Sequence, residues 1–168
     1  MRSEYDHIIR DAAIRWLPAG YDWRLFKAQL WQESKFDPLA VSEAGATGIG
    51  QFMRSSWTTW ARKAGYSGAK RTNPEASIYA SAAYMGWLVG QWRTRRPPMD
   101  RYLLAMASYN AGLGHILSAQ RLSGGRSGYA QIIAELDMVT KKKNAKETTE
   151  YGRKILGHYS RIITGEGL

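Results

Sequence analysis

An all-α or nearly all-α fold of about seven to eight helices, in one domain covering residues 1–168, is what this sequence predicts. Apolar residues return at i, i+3, i+4 spacing along most of the chain, and Pro, Gly and Asx-Pro pairs fall between the periodic stretches. No stretch alternates apolar and polar residues for long enough to make a half-buried strand, and there is no internal repeat. With 168 residues, 44% of them hydrophobic, the chain can bury roughly two thirds of the surface its unfolded form would expose.

Taken in order, Ile8, Ile9, Ala12, Ala13 and Trp16 predict a first helix that Pro18 and Gly20 end. A second helix starts after Asp22 as N-cap, carries Leu25, Phe26, Gln29, Leu30 and Glu33, and stops at Asp37-Pro38. Residues 35–47 read as loop. Helical spacing resumes from Gly48 to Ala64 through Ile49, Phe52, Met53, Trp57 and Trp60. Asn73-Pro74 opens the most apolar helix, which runs to about Trp92 and is closed by Pro97-Pro98. Another follows from Asp100 through Tyr109, with Gly112 as a left-handed terminator. Shorter helices over 113–120, 129–136 and 150–163 finish the chain. SGGRSG at 123–128 and TKKKNAK at 140–146 read as polar, mobile connectors with little to bury.

Composition narrows the function. There are no cysteines, so disulfides, thiolate metal sites and a cysteine nucleophile are excluded. His7, His115 and His158 show no paired metal-ligand spacing, and no Gly-x-Gly-x-x-Gly, Walker or Gly-x-Ser-x-Gly motif appears. No metal and no cofactor are expected. Lys plus Arg number 24 against 14 Asp plus Glu, a net charge of +10, which favours a polyanionic partner: nucleic acid, an anionic envelope or anionic lipid. Glu4 and Asp6 stand where a secretory signal would be uninterruptedly apolar. Synthesis in the cytoplasm without a Sec signal is therefore expected, and no stretch is apolar for the ~20 residues a membrane span needs.

Glu33 is the first candidate for chemistry. Phe26, Gln29, Leu30 and Glu33 share one helix face, so a carboxyl group ends an otherwise core-facing stripe. Desolvation there would raise its pKa and let it donate a proton near neutral pH. An ordinary surface Glu at a helix end would give the same stripe, so the pattern alone does not single it out. Asp37 could be offered as a second carboxylate, but Asp-Pro is also a common turn element.

Further segments change the balance. They are Gln32-Glu33-Ser34-Lys35-Phe36-Asp37-Pro38, Ala40-Val41-Ser42, the stretch Ala44-Gly45-Ala46-Thr47-Gly48-Ile49-Gly50-Gln51-Phe52-Met53, then Ser108-Tyr109-Asn110-Ala111-Gly112 and Glu147-Thr148-Thr149-Glu150-Tyr151. In this order and spacing, from about Phe26 to Ile155, they resemble the soluble lytic transglycosylase family. Its lysozyme-like domain breaks the bond between N-acetylmuramic acid and N-acetylglucosamine in peptidoglycan.

The resemblance implies a lysozyme-like fold and a chemistry with one carboxyl group instead of the usual glycosidase pair. By it, Glu33 protonates the leaving glycosidic oxygen and then takes the proton of the muramic acid C6 hydroxyl, closing a 1,6-anhydro ring without water or cofactor. Ser42, Gln51 and Met53 match positions lining the sugar subsites, and Tyr109 and Asn110 lie in the segment forming the opposite wall. Glu147 matches a sugar-contacting carboxylate and Tyr151 a tyrosine near the acid, with Ser34 and Gly48 in support. Met53 and Tyr109 could equally be core residues. Gly50 and Ser108 depart from the family, which commonly has a larger apolar residue and Ala there.

The partners implied are peptidoglycan glycan strands and, by charge, anionic envelope polymers, with no nucleic acid and a monomeric enzyme expected. The setting resembles a bacteriophage endolysin released by a holin, or a virion-associated enzyme, with a bacterial secretion-system transglycosylase as the third alternative. A hydrolytic muramidase of the same fold is the alternative, and a non-catalytic wall-binding or nucleic-acid-binding protein is the rival from another class.

Overall fold

A computed structural model describes residues 4–166. Residues 1–3, 167 and 168, the ends of the expected domain, lie outside the described residues. Within those described there are eight α-helices and one 3-10 turn, and no strand beyond the isolated bridges of Thr47 to Val41 and to Phe52. The helices are α1 (Asp6–Trp16), α2 (Trp23–Ser34), α3 (Arg54–Lys63), α4 (Pro74–Gln91), α5 (Pro98–Ala111), α6 (Leu113–Leu122), α7 (Tyr129–Ile133) and α8 (Lys142–Thr164), with the 3-10 turn Leu136–Met138 before α8. The all-α expectation holds. Two compact units form among the described residues: one contains those up to Gly86 and those from Ile155 on, the other Trp87–Lys154. None of the described helices is long and apolar enough to cross a membrane.

In the first unit α1 packs on α2, burying Ile9, Ala12 and Ala13. Asp22 caps α2 as expected, accepting from the Arg24 backbone N–H at 2.9 Å. The middle of α2 is not a stripe: Leu25 to Leu30, Lys27 and Gln29 included, are all buried. A helix surrounded on all sides needs its charges paired, and Lys27, 2% exposed, has Asp6 of α1 at 2.8 Å. The helix ends earlier than Asp37-Pro38, because Lys35 and Phe36 both turn left-handed (φ 54° and 64°). The C-terminal half of α8 also packs here. Tyr159 donates to Asp22 Oδ2 at 3.0 Å, and His158 Nε2 lies 3.1 Å from Gln32 Oε1. Burial pushes the Asp22 carboxyl up, but hydrogen bonds from Arg24 and Tyr159 outweigh it and hold the group below its usual range.

The predicted helix from Gly48 to Ala64 is half loop. Gly48 and Gln51 have positive φ (81° and 48°), which no helix accommodates, so α3 begins only at Arg54. Ile49 and Phe52 are buried as turn residues, and that burial produced the helical spacing. Phe52, Trp57 and Ala61 then pack with Ala76, Ala80 and Ala83 of α4, flanked by Trp60 and Tyr84.

In the second unit Tyr102 to Ser108 of α5 are buried against α6 and α7. Pro97-Pro98 opens α5 instead of closing α4, which ends at Gln91, in keeping with the preference of Pro for a first turn. Gly112 has positive φ but an extended ψ (89°, 136°), so it is a corner between α5 and α6 and not a left-handed cap. The helix expected over 129–136 breaks into α7 and the 3-10 turn. Residues 123–128 form a turn, fastened at one end by Arg96, whose Nη1 donates to the Ser127 carbonyl at 2.9 Å.

The expected connector at 140–146 is corrected from Lys142 on: these residues are the first turn of α8, which starts eight residues before the expected Glu150. Ala145, Thr148, Tyr151, Gly152 and Ile155 are buried at helical spacing. The lysines between them face solvent and leave the helix intact.

Candidate active site

Glu33 sits half-buried in the last turn of α2, where the helix emerges from a fully buried stretch. Its neighbour Ser34 donates from Oγ to the Ile49 carbonyl at 3.0 Å, fastening the helix end to the glycine-rich turn. That turn is itself fastened from several directions. Gly50 N–H donates to the buried Ser77 Oγ of α4 at 3.0 Å. Arg71 Nη1 donates to the carbonyls of Gly45 and Phe52, both at 2.9 Å. Gly48 is buried with φ 81°, and a Cβ there would meet the Arg71 carbonyl oxygen at 2.1 Å, so only glycine fits.

Gln51, held at φ 48°, uses its carboxamide structurally. Nε2 donates to the carbonyls of Gly48 and Ala40 at 3.0 and 3.3 Å, which leaves Oε1 as the side chain's free end for a ligand. Ser42 is exposed and accepts from the Ala46 N–H at 3.1 Å, closing a turn while its own proton stays available. Met53, the residue before α3, is 43% exposed and therefore not core. Asp37 turns inward to its own backbone, accepting from the Leu39 N–H at 2.8 Å. A half-buried carboxyl group at a helix end fastened to this braced turn can exchange protons with a bound polyol or glycoside.

In the second unit Tyr109 and Asn110 occupy the last turn of α5, and Glu147 and Tyr151 lie one turn apart on α8. Asn110 and Glu147 line one cavity of about 240 Å³ with His115, Asn144 and Thr148. Two carboxamides, a carboxyl group and an imidazole make its wall rich in both donors and acceptors. His115 has Nδ1 at 2.7 Å from the Ala111 carbonyl. Tyr109 is half-buried, while Tyr151 is buried outright.

The expected site residues thus gather into two sets: Glu33, Ser34, Ser42, Gly48, Gln51 and Met53 in one unit, and Tyr109, Asn110, Glu147 and Tyr151 in the other. Sequence reasoning missed the braces. Ser77 carried a signal, being a hydroxyl among Ala76, Ile78 and Ala80 on the most apolar helix. Arg71 carried none, since one Arg among 24 basic residues has nothing to distinguish it.

The family model of the transglycosylase SLT domain matches residues 17–132. That stretch contains the Glu33 helix, the glycine-rich turn and Asn110, and it ends before Glu147 and Tyr151. The chain is 34% identical over 126 residues to membrane-bound lytic murein transglycosylase F of Haemophilus influenzae (strain PittEE), covering 73% of this chain and 25% of that protein. It is 30% identical over 162 residues to the protein of the same name from Alcanivorax borkumensis, covering 88% and 33%. The chain therefore spans between a quarter and a third of the length of these relatives. Among solved structures, the 70 kDa soluble lytic transglycosylase of Escherichia coli shares the fold with a TM-score of 0.68 at 23% identity, over 96% of this chain and 26% of that one.

Proposed function

Because the chain belongs to the transglycosylase SLT domain family, we propose that it cleaves peptidoglycan glycan strands between N-acetylmuramic acid and N-acetylglucosamine without water. Glu33 gives its proton to the glycosidic oxygen as the C1–O bond breaks, then accepts the proton of the C6 hydroxyl as that oxygen bonds to C1. The carboxyl group ends the cycle as it began, and the product is a 1,6-anhydro ring. The observation that carries this reading is the bracing of the α2 end, through Ser34 to the Ile49 carbonyl, onto the turn that presents Gln51. One acid needs a fixed position in both of its roles, and rigid backbone supplies it.

By the family resemblance, Ser42, Gln51 and Met53 of the first unit hold sugar rings, as do Tyr109, Asn110 and Glu147 of the second, and Tyr151 matches the tyrosine of the same motif. Ser34 and Gly48 keep the geometry. The chain acts as one catalytic domain without a cofactor and as a monomer, and the family match across both compact units supports the first of these. The net charge of +10 suits adsorption to an anionic envelope. On that ground we also propose a wall-opening role of the phage-lysis type, reached from the cytoplasm or delivered by a virion. The matched relatives are bacterial and membrane-bound by name, which makes wall turnover the competing setting.

Mass spectrometry of purified peptidoglycan after digestion tests the chemistry. Products lighter by one water than the hydrolytic muropeptides are expected. Hydrated products would identify a muramidase, and intact strands a binding protein.

A further inference from the structure

Thr148 lines the cavity of Asn110 and Glu147, and its position is unlike that of its neighbours on α8. It is 2% exposed, on the face of α8 that carries Ala145 and Tyr151. Its hydroxyl lies 2.8 Å from Asn110 Oδ1 at the end of α5 and 3.0 Å from the Asn144 carbonyl one turn back. A hydroxyl has one proton and two acceptors compete for it. The Asn144 carbonyl already has a donor available in the helix ladder, whereas Asn110 Oδ1 is the nearer acceptor. Thr149, next along, has only the local alternative, the Ala145 carbonyl at 2.9 Å, and faces solvent.

We propose that Thr148 is a positioning residue: by donating to Asn110 Oδ1 it fixes the carboxamide so that Nδ2 is the group Asn110 offers to the cavity it shares with Glu147 and His115. An unrestrained Asn side chain presents oxygen and nitrogen interchangeably, because the two ends are alike in shape and opposite in hydrogen bonding. A glycan wall that must tell an acetamido carbonyl from a hydroxyl needs that ambiguity removed. A hydroxyl can also accept, so the destination of its proton decides: the Asn144 carbonyl is already served by the Thr148 N–H of the helix, the proton goes to the nearer Oδ1, and the bond joins α5 to α8 where both line the cavity. This inference rests on the glycan-cleaving reading of the site.

The test compares Thr148→Val, Thr148→Ser and Thr149→Val in steady-state cleavage of soluble peptidoglycan fragments, with Thr148→Val also made in an Asn110→Ala background. Thr148→Val is expected to lower kcat/KM about tenfold, mainly through KM, the usual size for one lost hydrogen bond that strands a polar partner. Thr148→Ser returns activity to near wild type, and Thr149→Val leaves it unchanged. In the Asn110→Ala background Thr148→Val costs nothing further, since the group it positions is gone. The Asn110 side-chain amide resonance gives a readout that needs no turnover: it moves in Thr148→Val and stays in Thr148→Ser. Should Thr148→Val fail to fold, Thr148→Ala, a good helix former, takes its place. An unmoved resonance with wild-type KM, or a penalty that persists without Asn110, would overturn the assignment. If the wild type cleaves no peptidoglycan, the glycan reading falls, and the resonance alone still decides whether Thr148 fixes Asn110.

Discussion

Gly48→Ala isolates the bracing of the turn beside Glu33, because Gly45 supplies an internal control. Both glycines have nearly the same positive φ, 81° and 83°, but a Cβ at Gly45 meets nothing within 4 Å while one at Gly48 meets the Arg71 carbonyl oxygen at 2.1 Å. An Ala in this region costs roughly 1–2 kcal/mol at either position. At Gly48 overpacking adds about 1–3 kcal/mol. The carbonyl cannot retreat cheaply, because the same residue's guanidinium is tied to the Gly45 and Phe52 carbonyls at 2.9 Å each. For a domain of this size each kcal/mol moves the melting temperature by roughly 2–4 °C. Gly45→Ala should then lower Tm by about 4 °C and Gly48→Ala by about 10 °C, read by calorimetry under identical conditions. Equal losses would refute the claim that the turn is packed onto the Arg71 backbone.

Other consequences follow from the paired charges. Asp6→Asn removes the partner of a Lys27 that is 2% exposed, so it should destabilise by about 3 kcal/mol in denaturant unfolding, while Asp6→Glu loses less. The Asp22 carboxyl is held below its usual range in the folded protein. Its stabilising contribution is therefore complete above the unfolded pKa near 4 and is lost as pH falls through the lower folded value. Asp22→Asn should flatten the acid limb of stability against pH, and an unchanged slope would mean that the Arg24 and Tyr159 contacts do not hold in solution.

The fold class, α1 and the starts of α2 and α4 were legible because Asp22, Asn73-Pro74 and the apolar spacing all act locally. Sequence reasoning failed where local pattern and tertiary burial coincide. Ile49 and Phe52 are spaced like helix residues but are buried in a turn whose positive φ at Gly48 and Gln51 forbids a helix. In α8 the error ran the other way: a buried face of Ala145 and Thr148 is too weakly apolar to see among five lysines and glutamates, so a regular helix read as a connector. Of the proposed site, Glu33 and the motif residues were picked out by the order and spacing of segments that resemble the family. The braces that hold them, Arg71, Ser77 and Thr148, were not, because they act through backbone carbonyls, an N–H and a side chain far away in sequence.

The central claim is that one carboxyl group does both proton transfers. The direct test is the cleavage rate of Glu33→Gln on purified glycan strands, with Asp37→Asn as comparison. Loss of a general acid and base costs about 10²–10⁴-fold or more, so Glu33→Gln should be inactive over that range while Asp37→Asn, whose carboxylate only closes its own turn, keeps wild-type turnover. Activity of Glu33→Gln within about tenfold of wild type, or its loss in Asp37→Asn without unfolding, would contradict the account.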